Sequence, residues 1–250
     1  MELQECLELG ILAVQRAGLI LTEMFRNNCK VLSEDEKDIK LDADKEAEEA
    51  ILDVLSSTPY PILSEELGWT KEYEIGERYW VVDPLDGSLN FSRKIPLCAV
   101  SVALWHDDEP LVGIVFDFLR QELFTGIDGE GTKLNETKVK VSGRTKASES
   151  IVATALPVMN PYTEEEFLKY ITELKRFKRC RFLGSSALGL AYVASGRIDA
   201  FIQDEVMFWD IAGGAALVKF AGGENEITPV ENMPWVRKIR SASNSSIWKQ

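Results

Sequence analysis

The stretch Asp83-Pro84-Leu85-Asp86-Gly87-Ser88-Leu89-Asn90-Phe91 sets two carboxylates three residues apart, just past the apolar run Trp80-Val81-Val82. The run reads as a strand, and the acids fall where it gives out into a turn. Pro84 fixes the backbone behind Asp83 and is expected to stop the strand there. Gly87 lets a ligand approach the main chain closely. If the chain then turns into a helix, the amides of Gly87 and Ser88 point outward together and make an anion cradle. Hard carboxylate oxygens beside such a cradle suit magnesium. An isolated Asp-x-x-Asp with a glycine is also an ordinary solvated turn.

The chemistry those groups would serve is hydrolysis of a phosphate ester. Such esters resist attack because both reactants are anionic. A metal lowers the pKa of a bound water and screens the phosphate; a two-metal clamp holds its ions about 3.5–4 Å apart, so one carboxylate bridges them. Asp83 is the natural bridge. This chemistry needs clustered acids and no protein nucleophile. The chain has one histidine, His106, and no Ser-His-Asp arrangement. Cys6, Cys29, Cys98 and Cys180 are scattered and make no zinc site with that histidine, so free thiols in a reducing compartment are expected.

Elements able to position the acids follow from pattern. Leu7, Ile11, Val14, Ala17, Leu21 and Phe25 recur at helical spacing from Leu3 to Phe25. A polar loop runs through Ser33 to Asp38; its Lys37 is either solvated or offsets charge near the metals. Asp44 to Leu55 reads as a second helix, with Asp44 suited to its N-cap. Strands are expected at Tyr60–Leu63, Tyr79–Val82, Ala99–Trp105, Leu111–Phe116 and Glu122–Thr125, with Gly126, Gly129 and Gly131 as turns. Further on come a strand at Ile151–Ala155 and a helix at Thr163–Leu174 opened by a Thr163/Glu166 capping box. Ser186–Ser195 reads as a buried helix closed by Gly196, followed by a short strand at Ala200–Ile202 and a helix at Trp209–Phe220. A soft boundary near Gly143 divides residues 1–142 from 143–250.

With 250 residues and 45% hydrophobic content the chain can bury a sizeable core. Its 28 basic and 41 acidic residues leave a net charge of -13, which argues against nucleic acid or anionic lipid as bulk partners. The acidic start is unlike a signal peptide, and no apolar run approaches the roughly 20 residues that span a bilayer. A soluble, cytoplasmic protein is expected.

The whole Asp83–Phe91 string resembles the metal-binding motif of the inositol monophosphatase family, within the lithium-sensitive sugar and nucleotide phosphatase superfamily. Other landmarks resemble that family in the same order: Lys40 to Glu48, its early acidic segment; Ser64-Glu65-Glu66, its glutamate pair; Gly129 to Asn135 with Val139 to Ser142, its Gly-rich turn and following strand; Trp209-Asp210-Ile211-Ala212-Gly213-Gly214 to Gly223, its C-terminal motif. The likeness spans roughly residues 3 to 245. It implies an α+β fold, a layered α-β-α-β-α sandwich of the sugar phosphatase (inositol monophosphatase/fructose bisphosphatase) type, forming one compact catalytic unit with the metals between its halves.

By the same resemblance, Glu65, Asp83 and the Leu85 carbonyl bind a first Mg2+, and Asp83, Asp86 and Asp210 a second. A third ion near Glu65 is allowed. Asp44 and Ser88 orient the attacking water. Glu66 rivals Glu65, and Asn90 either bonds the loop or ends it. Gly87, Ser88, Gly184 and Ser185 hold phosphate or substrate hydroxyls, although Gly184-Ser185-Ser186 also reads as a plain helix start. Arg181 is a phosphate contact or a surface residue on a strand. Trp209 reads as a core aromatic whose packing aims Asp210. The place of the glutamate that meets ring hydroxyls in inositol-preferring members is taken by Gln203, with Asp204 and Glu205 next to it.

The implied function is a Mg-dependent phosphomonoesterase acting on a small polar ester, first of all inositol monophosphate. The alternatives are fructose 1,6-bisphosphate, histidinol phosphate or a 3'-phosphoadenosine nucleotide. A phosphoaspartyl route on Asp83 fits less well, because Asp-x-Asp is its usual mark. The resemblance also implies a homodimer and lithium inhibition. A regulatory binding protein with secondary phosphatase activity is the alternative class.

Overall fold

The computed structural model describes residues 1–27, 30–34, 39–156 and 162–249, without the side chains of 34 and 39. Cys29 and Lys37 lie outside the described residues. Helix α1 (Leu3–Arg26) carries the expected apolar stripe, and Cys6, Ala13, Val14, Ala17 and Leu21 are buried. A hairpin of β1 (Val31–Glu34) and β2 (Ile39–Leu41) stands where sequence suggested only a polar loop. Helix α2 (Asp42–Leu55) starts two residues earlier than expected. Asp44 is therefore inside the first turn rather than at the N-cap, and its carboxylate accepts the N–H of Leu41 at 2.6 Å.

The first sheet has the order β10-β9-β8-β7-β6-β5-β3-β4. Its strands are β3 (Ile62–Ser64), β4 (Gly68–Trp69), β5 (Arg78–Asp86), β6 (Ala99–His106), β7 (Glu109–Asp117), β8 (Glu122–Ile127), β9 (Gly131–Leu134) and β10 (Thr137–Val139). Gly126 thus sits inside β8 rather than in a turn, where an added Cβ would meet the Phe220 ring at 2.9 Å. The strand expected at Val139–Ser142 ends at Val139.

Both faces of this sheet are covered. Trp80, Val82, Val100, Val102 and Leu104 pack with α1 and α2, while Tyr79, Val81, Ala99, Ala103 and Trp105 pack with the helices of the opposite side. Burial on both faces explains why β5 and β6 read as apolar runs. Pro84 does not stop β5. The pairing with β6 shifts between Asp83 and Asp86, so the residue that lacks an N–H falls in a bulge where the ladder is already interrupted.

The second sheet, β12-β11-β13-β15-β14, is built from β11 (Ile151–Thr154), β12 (Arg179–Phe182), β13 (Ala200–Met207), β14 (Glu224–Val230) and β15 (Met233–Ala242). Between the sheets lie α5 (Ser186–Ala194) and α6 (Phe208–Phe220), apolar on nearly every side as doubly covered helices must be. Small residues let them approach closely: a Cβ on Gly213 would meet Ser101 Oγ at 2.5 Å, and one on Gly214 would meet Leu190 Cβ at 2.4 Å. On the outer face of the second sheet, Tyr170 and Leu174 of α4 (Glu164–Leu174) and Ile247 of α7 (Ser246–Lys249) pack on Val152, Ala200 and Ile202. Thr163 caps α4 as expected. The layers therefore run α-β-α-β-α. The remaining helix, α3 (Ser88–Ser92), is a single short turn after the bulge.

Candidate active site

Strand β5 carries Asp83 into the interior, where it is 1% exposed. Its Oδ1 accepts the Leu85 N–H at 3.0 Å. Burial pushes the Asp83 carboxyl well above the usual range, and the charges of Glu65, Asp86 and Asp210 push it the same way. Those three acids arrive on different elements. Glu65 lies in the turn between β3 and β4, its N–H bonded to Val82 O at 3.2 Å. Asp86 ends β5, and Asp210 stands in the first turn of α6. Buried Trp209, 6.0 Å from Trp235 between ring centres, packs as the expected core aromatic beside Asp210. Glu66 pairs with Lys40 at 2.6 Å, and the charge of Glu65 bears on Asp83.

Asp86 is held by the start of α5. The Ser185 hydroxyl donates to it, as do the amides of Ser186 (3.1 Å) and Ala187 (3.0 Å). Burial still raises its carboxyl to about 6 against those donors. Ser185 is also the N-cap of α5, accepting the Leu188 N–H at 3.2 Å. The Ser185 hydroxyl is thus engaged by Asp86, while the expectation for this segment concerned its backbone amides.

Asp44 and Ser88 meet directly. Ser88 Oγ lies 2.9 Å from both Asp44 Oδ1 and the Leu85 carbonyl. Burial lifts Asp44 to about 6, against the hydrogen bonds from Leu41 and Ser88. Gly87 has φ +90°, and a Cβ there would sit 2.8 Å from Leu97 O and 3.1 Å from Gly184 O. Its freedom thus admits two neighbouring backbone segments. Asn90 bonds those same segments: its Nδ2 reaches Leu97 O (2.8 Å), Leu183 O (2.9 Å) and Gly184 O (3.2 Å).

Gln203 is buried at the bulge of β13; it accepts from Ser186 Oγ at 3.3 Å and donates to Glu205 O at 2.9 Å. Asp204 does not supply the acid missing at Gln203, because it is committed to Arg240 (2.7 Å), Lys238 (3.2 Å) and the Tyr162 hydroxyl. Arg181 is exposed on the edge strand β12, its guanidinium donating to Cys180 O at 2.9 Å, and these contacts do not join it to the acids. His106 is exposed, with Nε2 3.0 Å from Gly76 O. Cys6, Cys98 and Cys180 are free thiols. Glu48, quoted above only within an acidic segment, is buried on α2 and bonds Ser64 and Leu67. Its spacing of four from Asp44, which puts both acids on one helix face, was the signal that could have found it.

Among the described residues, no group of three or more His, Cys, Asp or Glu side chains is placed so as to hold a metal ion as it stands. The donor chemistry nevertheless fits a hard cation. Glu65, Asp86 and Asp210 all repel a buried Asp83, and Leu85 lies in the bulge between Asp83 and Asp86. All-oxygen donors of this kind suit Mg2+.

The solved inositol monophosphatase from Anabaena resembles this chain with a TM-score of 0.82 and 29% identity, over 98% of this chain and 93% of that one. The layered sandwich is therefore a phosphatase architecture. The family model described as the inositol monophosphatase family matches residues 2–236. The inositol-1-monophosphatase of Mesorhizobium japonicum is 35% identical over 222 residues, 87% of this chain and 83% of its own length. The Nus factor SuhB of Pasteurella multocida is 34% identical over 226 residues, with the same coverage. The chain belongs to the inositol monophosphatase family, and it is a phosphoric monoester hydrolase for small phosphorylated molecules.

Proposed function

We propose that this chain hydrolyses inositol monophosphate with magnesium held by Glu65, Asp83, Asp86, Asp210 and the Leu85 carbonyl. The observation that carries the reading is the buried Asp83 pressed by three other carboxylates. When bound, the cation supplies charge neutralisation and Lewis acidity. The chain's own groups do the rest. Leu41 N–H fixes Asp44 from one side and Ser88 from the other. With its carboxyl at about 6, Asp44 accepts a proton from the attacking water near neutral pH. The amides opening α5 hold Asp86 in one orientation. Gly87 and Ser88 offer main-chain amides to phosphate, and Gln203 beside Ser186 gives the substrate hydroxyls an uncharged polar wall. Lithium inhibition and a homodimer belong to the same reading.

The test is phosphate release from inositol 1-phosphate, fructose 1,6-bisphosphate, histidinol phosphate and 3'-phosphoadenosine 5'-phosphate, with and without Mg2+. Inositol 1-phosphate should be the preferred ester. Asp86→Asn and Asp210→Asn should each lose at least about 100-fold in rate while staying folded. Magnesium-independent turnover, or activity kept in both variants, would refute the assignment. The Pasteurella relative's name, Nus factor SuhB, favours a second reading in which the chain also binds a regulatory partner. A partner that co-purifies equally with wild type and the Asp86→Asn variant would support that role.

A further inference from the structure

We infer that Glu48 is the positioning residue for Glu65: its buried carboxylate pins the 64–67 turn and so sets how tightly the site takes its divalent cation. The inference rests on the metal role proposed for Glu65. Glu48 is 2% exposed and lies one turn beyond Asp44 on α2, so the two acids share the buried face of that helix. One oxygen, Oε1, accepts from the Ser64 hydroxyl at 2.5 Å and from the Leu67 N–H at 3.3 Å. Those donors flank Glu65 and Glu66. Ser64 pairs with Gly68 across the hairpin, so Glu65, Glu66 and Leu67 are the three residues of its turn.

A three-residue turn carrying two neighbouring acids can in principle turn either carboxylate inward. Glu48 supplies that choice at the base of the turn. The Lys40–Glu66 pair, 2.6 Å, engages the second acid at the tip. The Glu65 N–H bond to Val82 O then fixes the turn against β5, one residue before Asp83. Glu48 itself acts through Ser64 and Leu67, which places it behind the ligand set rather than in it. Partners of this kind tune metal affinity without touching the reacting atoms.

The test uses the full chain and the variants Glu48→Ala, Glu48→Gln and Ser64→Ala. In metal-free protein, amide hydrogen exchange should speed up at 65–67 in Glu48→Ala while the amides of β7 keep their protection. With substrate, the half-saturating Mg2+ concentration should rise about 10–100-fold. The rate at saturating Mg2+ should stay within about threefold of wild type, because the ligands themselves remain. Glu48→Gln retains an acceptor oxygen and should recover most of the affinity. Ser64→Ala should shift Mg2+ affinity in the same direction, and it serves if Glu48→Ala does not fold. The inference is overturned if exchange at 65–67 and the Mg2+ requirement are unchanged in a folded variant. It is also overturned if the saturated rate collapses while Mg2+ affinity holds. A wild-type chain with no Mg-dependent turnover would defeat the phosphatase reading instead, and the exchange arm would still report on the turn.

Discussion

Asp83 is 1% exposed, and burial, Glu65, Asp86 and Asp210 all raise its carboxyl. Asp83→Asn keeps the shape and the acceptor for Leu85 while removing the charge. In chelator-treated protein this variant is expected to melt a few degrees above wild type, since about 1 kcal/mol moves Tm by roughly 2–4 °C in a chain of this size. In Mg2+ the order should reverse, because the wild type gains stability from binding and the variant does not. Calorimetry of both proteins with chelator and with Mg2+ reads this directly, and an Asp83→Asn protein that melts lower in chelator counts against the crowding of acids. Much of this constellation was legible in sequence because the acids are punctuated by Pro84 and Gly87 and backed by the Trp80-Val81-Val82 run. The engagement of Asp86 by Ser185, Ser186 and Ala187 was not, because it joins residues about a hundred positions apart.

At the scale of elements, the turn after β5 is where two loops close on one glycine. Gly87→Ala must accept a left-handed backbone and a Cβ 2.8 Å from Leu97 O. The expected cost is about 2–3 kcal/mol, a Tm drop of roughly 5–10 °C, visible in thermal melts. A melt within a degree of wild type would mean that the 97 and 184 segments yield. Element reading from sequence worked best where burial is two-sided or amphipathic, as for β6 and α1. It failed where a local rule was overridden by pairing. Pro84 lies in a strand because the β5–β6 register slips there. The β14–β15 hairpin gave little apolar alternation, since much of β14 stays partly exposed. The β13 strand was read too short because Gln203-Asp204-Glu205 interrupts its apolar pattern, although Arg240 and Lys238 stabilise Asp204 there.

For the molecule as a whole, buried carboxyls set the dependence on pH. Asp44 and Asp86 rise from the ordinary 3.8 to about 6 on folding, and burial raises Asp83 and Glu48 as well. A raised acid means the folded state holds more protons than the unfolded one, so stability of the metal-free protein falls as pH climbs above about 4. Asp204 and Glu122 are shifted the other way, chiefly through their arginine and tyrosine partners acting against burial, and lose their contribution only at lower pH. Chelator-treated protein should therefore be most stable near about pH 4. The Tm gain from Mg2+ should be larger at pH 7.5 than at pH 5, where protonated acids bind metal poorly. A metal-free Tm that climbs steadily from pH 5 to 7.5 would contradict the buried-acid account.

The order in which the acids occur along the chain has a consequence for synthesis. All strands of the first sheet lie between residues 62 and 139, and three of the four acids are present by residue 86. The fourth, Asp210, arrives only with α6, the same helix that covers Tyr79, Val81 and Trp105 on the inner face. A nascent chain can thus pair its first sheet on the ribosome without the full repulsion at its centre. On the magnesium reading proposed above, ion capture would then be the last event of maturation, a checkpoint that only a chain translated beyond α6 can pass.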